Sequence, residues 1–561
     1  MAPTSTLSLT DLIAQIQTLV PPGSPEPQDP QLIATLQNLT QQLIQAYQAD
    51  GLLQGDPFAE VWVRGIHLYE TEVRDRLSHQ VVLITGGEGC VGTCLMQKLL
   101  QLGVKRIVSV DKARCTEETV EGEAGRSLHL SGIPVIQYAA DIRNLSTLDR
   151  IFATEKPDIV FHLAAQRLPW LAEQQILETI TNNIFGTQNV IQVCETHQVK
   201  QCIVSSTGKA SRYLTGEVYA ASKKMMEWQL AQAVQQGKVT YGMVRFTHML
   251  DNSSFCEQYD QKIQQGRPVN IHAPHRYVVG QNLQEATHLL LNALVFAEPK
   301  RLKFLLCRNL GWPVETLEVA LYKIQQSGQP NFIYFQGVTV GYEESFFRGQ
   351  VDWSQPTEIN TLINVIECAT KTIDASGDLI LSEVPAFSTA LLQQQLTLLQ
   401  DLCHRPLPPA QLKTALAAAV SQISASLFRR TPAETLLKIL HWGTELNHLK
   451  AEGTAAEAFE GILALIIQGL QASLKRASAK HPPDVRSTLL QTAAKEIAHL
   501  QVCLHQLSWQ PSADLITATA DLAALLQTLQ VEQSTALPYI VQTYVPQFVP
   551  QPLVGAIAHH R

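Results

Sequence analysis

In the stretch GEVYAASKK, Tyr219 and Lys223 stand four residues apart. On a helix that spacing puts both side chains on one face, a single turn apart. A lysine ammonium beside a phenol stabilises the phenolate, which makes tyrosine a usable base near neutral pH. Upstream, the run QCIVSST ends in Ser206 and Thr207. A hydroxyl there can hold a substrate oxygen while Tyr219 takes its proton. Tyr-x-x-x-Lys is common by chance; the preceding strand-like run ending in SST gives it weight.

A second stretch, VVLITGGEGCVG, places Gly86, Gly89 and Gly92 between a β-branched run and a helical one. Gly86 lets the chain turn sharply and Gly89 admits backbone amides to a pyrophosphate. Gly92 packs helix against strand, so that the helix's positive end faces the phosphates. Asp111 ends the next β-branched run, RIVSVD, where a carboxylate accepts hydrogen bonds from ribose hydroxyls, as NAD requires. Lys112 and Arg114 follow at once and suit a 2′-phosphate, so NAD and NADP both remain open. Cys90 and Cys94 lie on the first turns of that helix and read as packing residues.

The elements that must position these groups alternate along residues 81 to about 300. Short runs such as VVLIT, RIVSVD, VIQYAAD, DIVFHLAA, QCIVSST and TYGMVRF are separated by helical stretches. That alternation predicts an α/β domain built on a doubly wound parallel sheet. Beyond about residue 380, leucine and alanine recur at helical spacing with start signals in TPAE, PPD and SAD, predicting about six helices in an all-α domain. The proline-punctuated ALPYIVQTYVPQFVPQPLVG reads as an extended tail. The boundaries expected are a helical lead-in with a Pro-rich linker over 1–55, the dinucleotide-binding domain over 56–375 with a small substrate portion over about 245–375, and the helical domain over 380–561.

The 561 residues exceed what one core usually covers, and 45% apolar with 16% charged residues is a globular composition. A net charge of -8 without a lysine or arginine stripe argues against nucleic acid as partner. The start MAPTSTLSLTDLIAQI has no basic stretch before an apolar core, and GILALIIQGL is too short to span a bilayer, so a soluble, cytoplasmic protein is expected. The ten cysteines show no C-x-x-C pair and read as reduced thiols. His272, His275 and His288 show no ligand spacing with carboxylates, and no metal is expected.

The TGxxGxxG spacing resembles that of the extended short-chain dehydrogenases. With that resemblance, Asp141 and Ile142 suit the adenine, and Leu163, Ala164 and Ala165 suit the nicotinamide side. Residues from about 60 to 370 further resemble the nucleotide-sugar 4,6-dehydratases and epimerases of capsular-polysaccharide synthesis, a CapD-like branch. The stretches that carry this are LSHQVVLITGGEGCVG, ADIRNLSTLDRIFATEKPDIVFHLAAQRLPWLAE, TNNIFGTQNV, VSSTGKA, YAASKK and VRFTHMLDNSSF. The resemblance implies a nucleotide-sugar substrate, and a homodimer formed through the long helices of the α/β domain.

Four departures stand against the family pattern. Where it carries Thr-Asp-Lys, this chain has Thr207, Gly208 and Lys209. The resemblance implies that the Asp is acid to a departing 6-hydroxyl and the Lys a base at C5. General acid catalysis typically supplies about 10²- to 10⁴-fold, so Gly208 predicts weak or absent elimination. Two extra residues also separate Lys209 from Tyr219 relative to the family pattern. Glu217 is a candidate to substitute for the acid, against the reading of it as an exposed loop carboxylate. Val340, in TVGYEES, replaces an arginine that in the family meets the diphosphate, and the family's Lys-His pair appears as Arg167 and Leu168. Arg167, Arg245 and Arg276 are the candidates to hold a substrate anion.

Two functions follow. One is an NAD(P)-dependent enzyme of nucleotide-sugar epimerase or oxidoreductase type, in which Tyr219 is the base, Lys223 tunes it, and Thr207 with Ser206 orients the substrate. The other is a catalytically degenerate dinucleotide-binding scaffold whose C-terminal helices dock a protein partner.

Overall fold

The computed structural model describes residues 8–114, 124–130, 132–451, 456–480 and 482–531. The proline-punctuated tail and Cys115 lie outside them. Strands β1 (Val81–Thr85), β2 (Arg106–Asp111), β3 (Ala124–Leu130), β4 (Ile133–Ala139), β5 (Ile159–His162), β6 (Gln201–Thr207) and β7 (Thr240–Phe246) fall on the β-branched runs. Every residue of β1, β5 and β6 is buried, as strands covered on both faces must be.

The main sheet has ten strands, in the order Thr372–Ile373, Leu379–Glu383, Lys303–Cys307, β7, β6, β5, β1, β2, β4, β3. The strands from Lys303–Cys307 across to β4 run parallel; β3 is antiparallel to β4, and at the other edge Leu379–Glu383 is antiparallel to both of its neighbours. Strand order reverses between β1 and β5, so the crevice beyond their carboxyl ends is where a ligand fits such a sheet.

At the far edge, Asp374 accepts from the Ser376 and Leu379 amides and closes the hairpin that returns Leu379–Glu383 to the sheet. The chain therefore stays in the α/β unit to Glu383, past the boundary the composition suggests. Helical structure resumes at Thr389.

The N-terminal helices, Leu9–Leu19 and Pro30–Ala49, start on side-chain caps from Ser8 and Asp29. They share a core with the small lobe of the α/β unit: Leu12, Ile16, Leu36 and Leu43 pack with Val269, Leu317, Ile333 and Phe335. The Tyr47 hydroxyl donates to Glu315 Oε2 at 2.7 Å across this contact.

The C-terminal part forms helices Thr389–Cys403, Pro409–Phe428, Ala433–Gly443, Leu446–Ala451, Glu460–Lys480, Pro483–Gln506 and Ala513–Val531. The first two, Thr389–Cys403 and Pro409–Phe428, pack onto the helix that carries Tyr219 and Lys223, Val218–Gln236, and the later ones pack on them and on one another. Val218, Ala221, Met225 and Trp228 of that helix join one core with Leu416, Val420, Ile423 and Phe428. The Trp228 and Phe387 rings lie 5.9 Å apart, and Ser424 Oγ donates to the Tyr213 carbonyl at 2.6 Å.

The long helix Val218–Gln236 is buried along most of its length, with Thr389–Cys403 and Pro409–Phe428 packed against it. Among the described residues, no helix is long and apolar enough to cross a membrane.

Candidate active site

The glycine loop after β1 forms a cradle with no room for side chains. Gly86 has φ +74°, and a Cβ on it would stand 2.7 Å from the Ala164 amide nitrogen. A Cβ on Gly92 would stand 2.5 Å from the Gly86 carbonyl oxygen. Gly89 caps the helix Cys90–Leu99 without a side-chain hydrogen bond to its first amides. A bare helix N-terminus behind a glycine turn fits a dinucleotide's pyrophosphate.

At the end of β2, the Asp111 carboxylate accepts from the Glu88 and Ala113 amides at 3.0 and 2.9 Å. Lys112, a candidate for a 2′-phosphate, is instead paired with Glu178 at 2.7 Å. Arg114 closes the short turn after it, and its side chain lies outside the described residues. Burial pushes the Asp141 carboxyl up, but the side-chain and backbone hydrogen bonds and the charge of Arg143 together outweigh it and hold it below its ordinary value. Ile142 is buried against Gly186. Leu163, Ala164 and Ala165 follow β5 directly, with the Leu163 amide bound to the Thr85 carbonyl.

Thr207 ends β6, and the Tyr219 phenol meets its hydroxyl from the first turn of Val218–Gln236. Burial pushes the phenol above its ordinary value; the Thr207 hydrogen bond and the Arg167 guanidinium pull it down. Lys223 Nζ donates to the Ser205 carbonyl at 2.7 Å. Burial pushes its ammonium down to about 8, against the pull of Glu227.

Behind these groups the His162 ring sits between the Thr85 and Thr187 hydroxyls, at 2.7 and 2.9 Å. Burial, aided by the Lys223 charge, pushes it down to about 3. Between pH 3 and the ordinary value near 6.5, the unfolded chain binds a proton here that the folded chain does not, so stability falls as pH drops through that window. His162→Gln is expected to flatten this part of the acid limb when Tm is followed against pH.

The structure adds residues that the sequence did not single out. Asn183, in a π-helical stretch Thr181–Gly186, binds the Gln166 amide and carbonyl and the Ser222 hydroxyl, fixing the loop that carries Arg167 to the Tyr219 helix. Glu344 accepts from Thr215, from Arg212 and from the Gly216 and Glu217 amides, tying the loop Thr339–Glu344 to the segment before Tyr219. The sequence signals were TNNIFG, part of a stretch that carries the family resemblance but whose residues were given no role, and the paired acids of YEES.

Three expectations are corrected. Arg245 holds no substrate anion: its side chain is 1% exposed and carries ion pairs to Glu227 and Glu367 at 2.7 and 2.6 Å. Ser206 faces away from Tyr219, donating to Glu227 Oε1 at 2.6 Å. Glu217 is no exposed loop carboxylate; it is buried against Lys209 and Arg212. Arg167 and Arg276 are exposed, the first within the electrostatic reach of Tyr219 and His248, the second within that of His272. His272 binds the Thr339 hydroxyl and His288 the Ile66 carbonyl; among the described residues no three metal-ligating side chains converge.

Gly208 is more than a missing acid. A Cβ there would stand 2.7 Å from Leu362 Cγ, on a buried segment hydrogen-bonded to Arg245. Gly208→Asp is therefore expected to destabilise the fold by about 1–3 kcal/mol, as overpacking does, and to confer no elimination activity. A urea midpoint and a dehydration assay on the same preparation check both.

With this geometry in view, the comparisons with known proteins fall into place. Residues 82–340 match the polysaccharide biosynthesis protein family. CapD, a capsular polysaccharide biosynthesis protein of Staphylococcus aureus, is 25% identical over 311 residues, covering 51% of each chain. EpsC of Bacillus subtilis, a probable polysaccharide biosynthesis protein, is 24% identical over 300 residues, 52% of this chain and 49% of EpsC. The chain thus spans about half the length of these two relatives. A UDP-glucose 4-epimerase of Rickettsia akari is 26% identical over 266 residues, 47% of this chain and 75% of the epimerase. The α/β unit is thus similar to CapD, to EpsC and to a UDP-glucose 4-epimerase over most of its length.

Proposed function

We propose that the chain is an NAD(P)-dependent enzyme that oxidises and reduces a hydroxyl of a nucleotide sugar, as an epimerase or oxidoreductase rather than as a 4,6-dehydratase. The observation that carries this reading is the Tyr219 phenol against the Thr207 hydroxyl at the carboxyl edge of the sheet, with Lys223 one helical turn on and bound to the Ser205 carbonyl at 2.7 Å. The family match and the epimerase relative support the substrate class.

A bound nicotinamide dinucleotide supplies hydride acceptance and return. The chain's residues do the rest. Gly86, Gly89 and Gly92 admit the pyrophosphate and Asp111 holds a ribose. Thr207 orients the reacting hydroxyl, and Tyr219 takes and returns its proton. Lys223 keeps a positive charge near the phenolate, which lowers the cost of forming it. Arg167 and Arg276 offer exposed charge to the substrate's anionic part.

Native mass spectrometry of the purified chain tests the cofactor, which is expected as retained or added dinucleotide. Tyr219→Phe is expected to slow turnover of any accepted nucleotide sugar by at least about 10²-fold, the lower range for proton transfer by a positioned group. A Tyr219→Phe chain as fast as the parent would remove the mechanism.

A further inference from the structure

The helix that carries Tyr219 starts without a cap of its own. Its N-cap residue, Glu217, turns its carboxylate to Lys209 and Arg212 and makes no side-chain hydrogen bond to the first turn. Helix starts leave their first amides without intrahelical partners, and a start left uncapped is less stable. Here the amide of Val218, the residue before Tyr219, donates to Glu173 Oε1 at 2.7 Å. Glu173 lies on the short helix Pro169–Gln174, just after Arg167. A carboxylate in this place also meets the positive end of the helix dipole.

The Glu173 side chain is 3% exposed, and a carboxylate so buried needs a cation as partner. That cation comes from the C-terminal helices. Lys413 Nζ, on Pro409–Phe428, donates to Glu173 Oε2 at 2.6 Å, and among the described residues this is the only ion pair Glu173 makes. One carboxylate oxygen therefore holds the catalytic helix and the other is held by the C-terminal helices. The loop Thr339–Glu344 closes a third side: a Cβ on Gly341 would stand 3.2 Å from Glu173 Cγ and 2.8 Å from the Pro169 carbonyl oxygen.

We propose that Lys413 and Glu173 are positioning residues for catalysis, through which the C-terminal helices set the Tyr219 phenol against Thr207. The proposal rests on the function proposed above, in which Tyr219 takes and returns the substrate's proton. Neither residue touches the reacting atoms. With Lys413 in place, the Glu173 carboxylate is held on the Val218 amide, the first turn is closed, and the phenol stays at the Thr207 hydroxyl. Without Lys413 a buried charge is left unpaired and relaxes toward water. The amide then loses its partner, and the turn that carries the phenol loosens. Displacing a reacting group by about 1 Å costs roughly 10²-fold in rate.

The test follows oxidation in a single turnover by cofactor reduction in the full chain. NAD and NADP are each offered with UDP-glucose, UDP-galactose, UDP-glucuronic acid and UDP-N-acetylglucosamine. Rates are taken per cofactor-bound chain, so that unfolded protein does not count as slow catalysis. Lys413→Met is expected to slow oxidation by about 10- to 10²-fold while the half-saturating sugar concentration stays within about 2-fold. Lys413→Arg, which keeps the ion pair, is expected to restore most of the rate. In a Glu173→Gln chain the amide oxygen still accepts from Val218 and needs no cation, so adding Lys413→Met is expected to slow oxidation no further. Hydrogen exchange on the peptide spanning Val218–Ser222 gives a readout free of substrate. It is expected to be faster in Lys413→Met than in the parent, and parental in Lys413→Arg.

A Lys413→Met chain that oxidises at the parental rate overturns the proposal. So does a loss that is equally large in the Glu173→Gln background, or one confined to the half-saturating concentration, since either marks a lysine that acts elsewhere. A parent that oxidises none of the panel overturns the function proposed above, and exchange then decides the link by itself: parental exchange in Lys413→Met overturns it, and faster exchange upholds it.

Discussion

Arg245→Met is expected to destabilise the fold by about 3–5 kcal/mol, the cost of stripping one partner from a buried ion pair. Arg245 binds Glu227 through Nε and Nη2 at 2.9 and 2.7 Å, and Glu367 through Nη1 and Nη2 at 2.8 and 2.6 Å. Nη1 also reaches the Leu362 carbonyl, and the guanidinium lies 4.1 Å from the Phe304 ring centre. The two carboxylates raise its pKa in spite of complete burial. Without it they face each other in the interior, with Lys223 and Lys224 as buried cations within reach, each pushed down to about 8 by burial. Adding Glu227→Gln and Glu367→Gln to Arg245→Met is expected to recover much of the loss, because the uncompensated charges go with the arginine. Arg167→Met, on an exposed arginine, is expected to shift stability by no more than about 0.5 kcal/mol. Urea unfolding of the four chains, followed by tryptophan fluorescence, separates the arginine that builds the fold from one placed to meet a ligand.

That contrast shows what the sequence could and could not reveal. Arg167, Arg245 and Arg276 read alike, because an arginine's role depends on partners that its neighbours do not name. Glu227 and Glu367 lie 18 and 122 residues from Arg245 in the chain. The strands, the glycine loop and the Tyr219 and Lys223 spacing were legible, since each is a local pattern set by backbone geometry. Gly208 was legible as an absent acid, but Leu362, which fills its space, comes from an irregular segment with no periodicity to read. Glu217 looked exposed because GEV resembles a loop; its burial comes from Lys209, Arg212 and the Glu344 contacts across the segment.

Ending the chain after Glu383, which keeps the whole sheet, is expected to leave the α/β unit insoluble. The cut bares Ile176, Ile180, Ile184, Tyr213, Val218, Ala221, Met225 and Trp228, all of which share one core with the C-terminal helices. Each large apolar side chain contributes about 1.5–3 kcal/mol on full burial, so losing this set costs on the order of 10–20 kcal/mol. That equals or exceeds the roughly 5–15 kcal/mol by which domains are ordinarily stable. The cut also removes polar support from the site: Lys413 pairs at 2.6 Å with Glu173, which accepts from the Val218 amide at the start of the catalytic helix. Expression and sedimentation of the shortened chain decide the matter. A soluble, folded product would mean that the catalytic helix stands without its cover and that the C-terminal helices are an appendage. Aggregation relieved by supplying residues 384–561 as a separate chain would mean that those helices hold Tyr219 and Lys223 in place, doing within one chain what a second subunit would otherwise have to do.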